Sequence, residues 1–250
     1  MLYFIADLHL SPRTPGATAI FTQLLSDIAR PENRLYILGD LFESWVGDDD
    51  DDADIRRVVA ALFAASGKGA GIFLQHGNRD FLLSERFAAE SGVTLLPDPY
   101  VLSTPEWQFV LSHGDALCTD DAEYQQFRAQ KRTPKWQAAF LQKPLSERRA
   151  IAHHLRQHSV EAKGSKAPYL MDLNPAATDD FLRQHGYATF IHGHTHRPAK
   201  HEHFVDGIHV ERWVLADWSE HQGEVLVWDG EKLQRQILTR TVSKTVTNFA

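Results

Sequence analysis

The chain of 250 residues predicts an α/β fold with parallel strands. Two observations lead there. Apolar runs of strand type alternate with amphipathic stretches of helical spacing through residue 90, the pattern of repeated strand–helix units. The composition, 43% hydrophobic, is enough for one sizeable core.

The elements follow in order. Residues 2–6 read as a buried strand, and Ile20, Leu24, Leu25 and Ile28 recur at helical spacing over 17–29. Leu35 to Leu38 is a second strand, turned by Gly39. Ile55, Val58, Val59 and Leu62 mark one side of a helix over 54–65. Ile72 to Leu74 is the third strand, 81–90 a helix, and short strands are expected near 93–96, 99–103 and 107–112. From 119 to 170 the character changes, with ten Lys or Arg against five Asp or Glu between Asp120 and Leu170. Thr133-Pro134 reads as an N-cap with proline in the first turn. Trp136 with Phe140, and Ile151 with Leu155, share helix faces. This segment is read as a helical insertion within one domain spanning 1–250. Asn174-Pro175 starts another helix, 188–192 is a strand, and hairpins around Gly207, Gly223 and Gly230 complete the chain to about 239.

Charge and targeting signals exclude several classes. A net charge of −7 is a poor basis for binding along nucleic acid. A single cysteine, Cys118, allows no intrachain disulfide and fits a reducing compartment. No signal-peptide pattern opens the sequence, and no apolar run approaches the ~20 residues that span a bilayer. The expectation is a soluble protein of the cytoplasm.

Five polar motifs carry the chemistry: Asp7 and His9 in IADLHL, Asp40 in LYILGDLFE, Asn78 in LQHGNRD, His113 in VLSHGD, and His194 and His196 in FIHGHTH. Each is weak alone. Asp-x-His makes an ordinary hydrogen-bonded turn, and Gly39-Asp40 an ordinary helix cap. In a strand, Asp7 and His9 would face one way, as would His194 and His196. Arg79 beside Asn78 is a bidentate phosphate donor. Together, seven oxygen and imidazole donors after apolar runs form a ligand set for divalent cations such as Mn²⁺ or Zn²⁺. Such cations activate water and clamp phosphoryl oxygens. His192 is read as a core histidine, Asp48 to Asp52 as a solvated acidic loop, and Cys118 as a buried small residue.

The order D-x-H, G-D, G-N-R-D, H-G-D and G-H-x-H, from residue 7 to residue 196, resembles the calcineurin-like metallophosphoesterases. Within that superfamily, LFESWVGDD after Gly39-Asp40, GNRD in place of the commoner GNHE, and the basic insertion resemble the UDP-2,3-diacylglucosamine diphosphatases of Gram-negative lipid A biosynthesis. The resemblance implies an α/β (α+β) two-sheet sandwich flanked by helices, with the insertion as a cap. It places Asp7, His9, Asp40 and His196 on one cation. Asp40, Asn78, His113 and His194 fall on the other, so that Asp40 bridges. The family cation is usually Mn²⁺. Catalytic roles fall on Asp40, Asn78, Arg79 and His113. Asn78, Arg79, Asp121, Ser159, Lys166 and His194 would contact substrate, with Lys163 where an asparagine is expected.

The implied reaction is attack of metal-activated water at the α-phosphorus of UDP-2,3-diacylglucosamine, giving UMP and 2,3-diacylglucosamine 1-phosphate. The leaving phosphate needs little general-acid help, so Arg79, which neutralises charge, suits an anhydride. The implied partners are that lipid-linked nucleotide sugar and the anionic inner-membrane surface, met peripherally from the cytoplasmic side. Arg128, Lys131, Arg132, Lys135, Arg148, Arg149 and Arg156 would face phosphates or lipid headgroups. Tyr124, Phe127, Trp136, Phe140, Ile151 and Leu155 would line acyl chains. The alternatives are a metallophosphoesterase acting on another nucleotide or phosphoester and a non-catalytic scaffold, which would be expected to have lost ligands. The sequence does not fix the oligomeric state.

Overall fold

The computed structural model describes residues 1–165 and 168–240. Strands β1 (Leu2–Ile5), β2 (Arg34–Leu38), β3 (Gly71–Gln75) and β4 (Thr94–Leu95) run parallel as neighbours. Strands β5 (Tyr100–Ser103), β6 (Gln108–Ser112), β7 (Thr189–His192), β8 (Ala199–Val205) and β9 (Ile208–Val214) form a second sheet. Its order is β5-β6-β7-β9-β8. Two further strands, β10 (Gln222–Trp228) and β11 (Leu233–Thr239), complete the first sheet in the order β11-β10-β1-β2-β3-β4.

Side-chain alternation sorts the strands into two cores. Phe4, Tyr36, Leu38, Phe109, Leu111, Ile191, Leu226 and Trp228 fill the space between the sheets. Ile5, Leu35, Ile37, Ile72 and Leu74 point the other way. They pack against helices α1 (Pro15–Ile28), α2 (Ala53–Gly67) and α3 (Glu85–Ser91). Burial on both faces explains why β1 and β2 read as continuous apolar runs rather than as alternation. On the far side of the second sheet, Val110 and Phe190 meet Phe181 and Leu182 of the helix Pro175–Gln184. The expected sandwich flanked by helices is the observed architecture.

The insertion consists of α4 (Ala122–Lys131), α5 (Pro134–Leu141) and α6 (Leu145–Ser165), which makes Pro175–Gln184 helix α7. Thr133 caps α5 by accepting from Trp136 N at 3.3 Å, and Asn174 caps α7 by accepting from Ala177 N at 2.9 Å, as Thr-Pro and Asn-Pro predict. Two expectations are corrected. Gly223 lies inside β10 rather than in a turn, and it is small because Trp218 crosses there: an added Cβ would stand 2.6 Å from the indole. The third helix starts at Glu85, not near 81, because the Ser84 side chain caps it by accepting from Arg86 N.

The parallel register positions the motifs. Ile5 pairs with Ile37, Leu38 with Gln75, and Ser112 with His192. The segments carrying Asp7, Asp40, Asn78, His113 and His194 therefore leave the C-terminal ends of β1, β2, β3, β6 and β7 at one edge of the sandwich. Ligand sites of parallel α/β sheets form at such an edge.

Candidate metal centre

The seven predicted donors converge. Asp7, His9 and His196 offer ligand atoms within 4.8 Å of one another, and so do Asp7, Asp40 and His113. His9 Nε2 lies 3.3 Å from His196 Nε2 and 3.9 Å from Asp40 Oδ2. On the other side, His113 Nε2 lies 3.8 Å from Asp40 Oδ1 and 3.0 Å from Asn78 Oδ1, and His194 Nδ1 lies 3.0 Å from the same amide oxygen. Asp40 stands between the two halves, as the bridging role requires.

The local geometry differs from the strand alternation expected. β1 ends at Ile5 and β7 at His192, so the four paired donors lie beyond their strands. Asp7, His9, Asp40, His194 and His196 adopt left-handed backbone, with φ of 54°, 49°, 52°, 68° and 55°. Non-glycine residues rarely hold that conformation, Asp and His more readily than most, and it clusters at functional sites. Backbone hydrogen bonds impose it. Asp7 N donates to Gly39 O, His9 N to Asp40 O, and Gly193 N to His113 O. Glycines permit the closeness: a Cβ on Gly77 would stand 2.1 Å from Asp40 Oδ1, and one on Gly193 2.4 Å from Asp7 Oδ2.

The donor set fits divalent cations on three counts. Asp7 Oδ1 is buried without a hydrogen-bond partner, its nearest cationic neighbour being His196 Nε2 at 3.4 Å. His113 Nδ1 lies 2.9 Å from Leu38 O, so it carries the ring proton. Nε2 then points into the site, 3.0 Å from Asn78 Oδ1, the orientation a metal ligand would take. Four imidazoles, two carboxylates and an amide oxygen also meet with few compensating donors, which suits a metal better than a hydrogen-bond network.

Electrostatics reinforce the arrangement. Burial opposes ionisation of Asp7, yet His196, His113 and His9 outweigh it and hold the carboxyl below the usual range. Burial also works against the His196 cation, but Asp217 and Asp7 raise its pKa to about 9. His194 is pushed down to about 4 by burial and by His113. Burial, and then the charge of Asp40, raise Asp80. Asp80 accepts from Gly77 N and Leu41 N at 2.8 Å each, and so ties the GNRD loop to the Asp40 loop.

Of the expected substrate contacts, Arg79 and Ser159 meet: Arg79 Nη2 donates to Ser159 Oγ at 3.3 Å, and Arg79 Nε is buried without a partner. Asp121 caps α4, accepting from Tyr124 N at 3.1 Å, and the Tyr124 ring lies 5.8 Å from that of His194. The Lys163 side chain and Lys166 lie outside the described residues.

The basic face of the insertion is largely turned inward. Arg128 and Arg132 pair with the buried Asp115 at 2.9 and 3.2 Å. Arg148 pairs with Asp49, Arg149 with Asp50 and Asp51, and Arg156 with Glu43. Five of the seven cations expected to face phosphate or lipid are thus paired with carboxylates of the protein, Arg149 at the surface with 45% of its side chain exposed. The acidic run is their counterpart and only in part the solvated loop expected: Asp49 and Asp51 stay 53% and 80% exposed, but Asp50 is buried, and Asp52 caps α2 by accepting from Asp54 N and Ile55 N. Phe140 is likewise buried in the core, not on an acyl face. His192 is the core histidine expected, fully buried with Nε2 3.0 Å from Arg212 Nη1.

Sequence reasoning missed Glu43, Asp80, Asp115 and Asp217. Asp80 and Asp115 stand inside recognised motifs, where each carboxylate had a visible signal. Glu43, 3.1 Å from His9 Nδ1, likewise closes the motif LYILGDLFE, whereas Asp217, 3.5 Å from His196 Nδ1, had no signal.

This geometry defines a metal-dependent hydrolase of the sandwich type, and the family comparison agrees. The calcineurin-like phosphoesterase family model matches residues 1–198, and the chain belongs to that family. Among its relatives is UDP-2,3-diacylglucosamine hydrolase of Aromatoleum aromaticum, 49% identical over 227 residues, covering 91% of this chain and 92% of that protein. The proteins of the same name from Chromohalobacter salexigens and Escherichia coli are 46% and 48% identical. They match 90% and 86% of this chain and 92% and 90% of their own lengths.

Proposed function

We propose that the protein hydrolyses the diphosphate bond of UDP-2,3-diacylglucosamine in lipid A biosynthesis, giving UMP and 2,3-diacylglucosamine 1-phosphate. Two divalent cations, Mn²⁺ by preference, would be held by Asp7, His9, Asp40 and His196 and by Asp40, Asn78, His113 and His194. The observation that carries the reading is the convergence of all seven donors about Asp40, beneath an insertion, in a chain 49% identical to a hydrolase of this substrate.

When bound, the cations lower the pKa of water and neutralise phosphoryl charge. The protein's own residues do the rest. Arg79 N donates to Asp40 Oδ1 at 2.8 Å, which fixes the carboxylate shared by both halves. The buried, unpartnered Nε of Arg79 and its Nη2, which reaches Ser159, offer a fork to a diphosphate oxygen. Burial lowers the Arg79 pKa, yet guanidinium stays charged and stabilises the phosphate that leaves. Asn78 holds its amide oxygen toward His113 and His194.

The proposal includes peripheral attachment at the cytoplasmic face of the inner membrane, because a diacyl substrate resides in a bilayer. No helix among the described residues is long and apolar enough to cross a membrane. With most insertion arginines paired internally, acyl chains rather than surface charge would dominate that attachment.

The test is to incubate the purified protein with UDP-2,3-diacylglucosamine in H₂¹⁸O, with Mn²⁺ or with a chelator. The expected result is UMP that carries the ¹⁸O and disappears with chelator. Product that ignores the chelator refutes the metal reading, and label on the lipid phosphate refutes attack at the α-phosphorus.

A further inference from the structure

His9 enters the site through Nε2, 3.3 Å from His196 Nε2. Its other nitrogen, Nδ1, is buried and lies 3.1 Å from Glu43 Oε2, at ion-pair distance but off the line of a hydrogen bond. An imidazole that offers its Nε2 lone pair keeps its proton on Nδ1. A carboxylate beside that proton favours this tautomer, and a small rotation of the ring brings the two into line. The backbone sets this facing. His9 N donates to Asp40 O at 3.0 Å, Leu10 N to Leu41 O at 3.0 Å, and Glu43 N to Leu10 O at 3.1 Å. The two loops thus run side by side, with Leu10 bridged to Phe42. The second oxygen of Glu43 belongs to the insertion, for Oε1 pairs with Arg156 Nε of α6. Neither partner is freely solvated: Glu43 and Arg156 keep 26% and 34% of their side chains exposed.

The other ring nitrogens are oriented differently. His113 Nδ1 faces Leu38 O at the end of β2. His196 Nδ1 faces Asp217, which lies between β9 and β10, and the next residue donates from Trp218 N to Asp7 O. Those orienting groups belong to the sandwich, whereas that of His9 is held from α6.

We infer that Glu43 is a positioning residue for His9 and that Arg156 holds Glu43, so that the helical insertion sets one arm of the metal centre. This rests on the divalent-metal reading of the site. Closing or displacing α6 then changes how firmly His9 is aimed, and the insertion tunes metal affinity as well as covering the site.

The experiment reads metal binding without substrate, by the electron paramagnetic resonance signal of free aqueous Mn²⁺ titrated into metal-free protein. The set is wild type, Glu43→Ala, Glu43→Gln, Arg156→Ala, Arg156→Lys and the double variant Glu43→Ala/Arg156→Ala. Glu43→Ala is expected to weaken the cation that His9 would hold about 10- to 100-fold, the usual effect of losing such a carboxylate. Glu43→Gln should weaken it less, because an amide oxygen still faces the Nδ1 proton. Arg156→Ala should weaken it several-fold, Arg156→Lys should restore most of the loss, and Arg156→Ala should add nothing in the Glu43→Ala background. If Glu43→Ala folds poorly, Glu43→Gln with an unchanged melting curve carries the test.

Wild-type affinity in Arg156→Ala overturns the link to the insertion, as does additivity in the double variant. Wild-type affinity in both Glu43 variants overturns the positioning role. A wild-type protein that takes up no Mn²⁺ refutes the metal reading itself, a distinct outcome.

Discussion

Replacing Asp115 by Asn should release the first helix of the insertion and destabilise the protein. Asp115 has no exposed surface, and its Oδ2 meets Tyr124 Oη at 2.6 Å, Arg128 Nε at 2.9 Å and Arg132 Nη2 at 3.2 Å. Removing one partner of a buried ion pair costs about 3–5 kcal/mol. Arg128 and Arg132 keep 24% and 21% of their side chains exposed, so water recovers part of the loss. About 3 kcal/mol remains. For a chain of this size that corresponds to a fall in Tm of roughly 6–12 °C. Asp49→Asn provides the contrast: its partner Arg148 is buried but keeps bonds to Val46 O and Lys143 O, and Asp49 itself is 53% exposed, so the loss should be smaller.

The pH dependence has a defined sign. Burial opposes ionisation of Asp115, but Arg132, His113 and Arg128 outweigh it and hold its pKa well below the usual carboxylate range. A depressed native pKa gives stability that is fully present above the unfolded value of about 3.9 and is lost as pH falls through the native value. The difference in Tm between wild type and Asp115→Asn should therefore stay level from about pH 8 to 5 and narrow in stronger acid. Thermal melts across that range, with hydrogen exchange over 122–131, measure both effects. A shift no larger than that of Asp49→Asn, or a difference that persists unchanged in strong acid, would refute the reasoning.

Three further outcomes are expected. Gly77→Ala places a Cβ 2.1 Å from Asp40 Oδ1 and should cut metal uptake and turnover by more than about 100-fold, whereas Gly67→Ala, with open space around it, should leave both near wild type; metal titration of the two variants decides. Arg79→Ala should lower kcat about 10²- to 10³-fold through lost charge stabilisation, with Arg79→Lys recovering part of it, and wild-type turnover in Arg79→Ala would refute its role. Cys118 is 2% exposed, and burial, then Asp115, push its thiol to about 12. Native protein should hardly react with iodoacetamide at pH 8, and reactivity should appear only as the chain unfolds.

The strands and most caps were legible because their signals are local. Continuous apolar runs marked β1 and β2, and Thr133-Pro134 and Asn174-Pro175 marked helix starts where the caps form. All seven donors were legible for the same reason, each sitting in a short polar motif after an apolar run. Pairing between distant segments was not legible. The cations of α6 looked free because their partners, Asp49 to Asp51 and Glu43, lie about a hundred residues earlier. A composition count sees ten cations in the insertion and an acidic run elsewhere, but cannot see that Arg148 and Arg149 pair with that run. The glycine in β10 misled for a related reason: Gly usually signals a turn, and here it signals an indole crossing the strand.

The donors themselves were identified through a geometry that does not occur. Alternation along a strand would have placed Asp7 with His9, and His194 with His196, on one face by repetition alone. The chain instead leaves each strand before the motif and enters left-handed backbone at five of the seven donors. That route is costlier locally, since left-handed backbone disfavours a Cβ-bearing residue. It turns the backbone amides inward, so that His194 N donates to Asp7 Oδ2 and Arg79 N to Asp40 Oδ1 while the remaining oxygens stay directed at the site. A regular strand would have used those amides in its ladder and left the carboxylates unsupported. The motif spacing therefore reports the need for two ligands per loop. The conformation that meets it is set by hydrogen bonds between loops, which a single segment of sequence does not display.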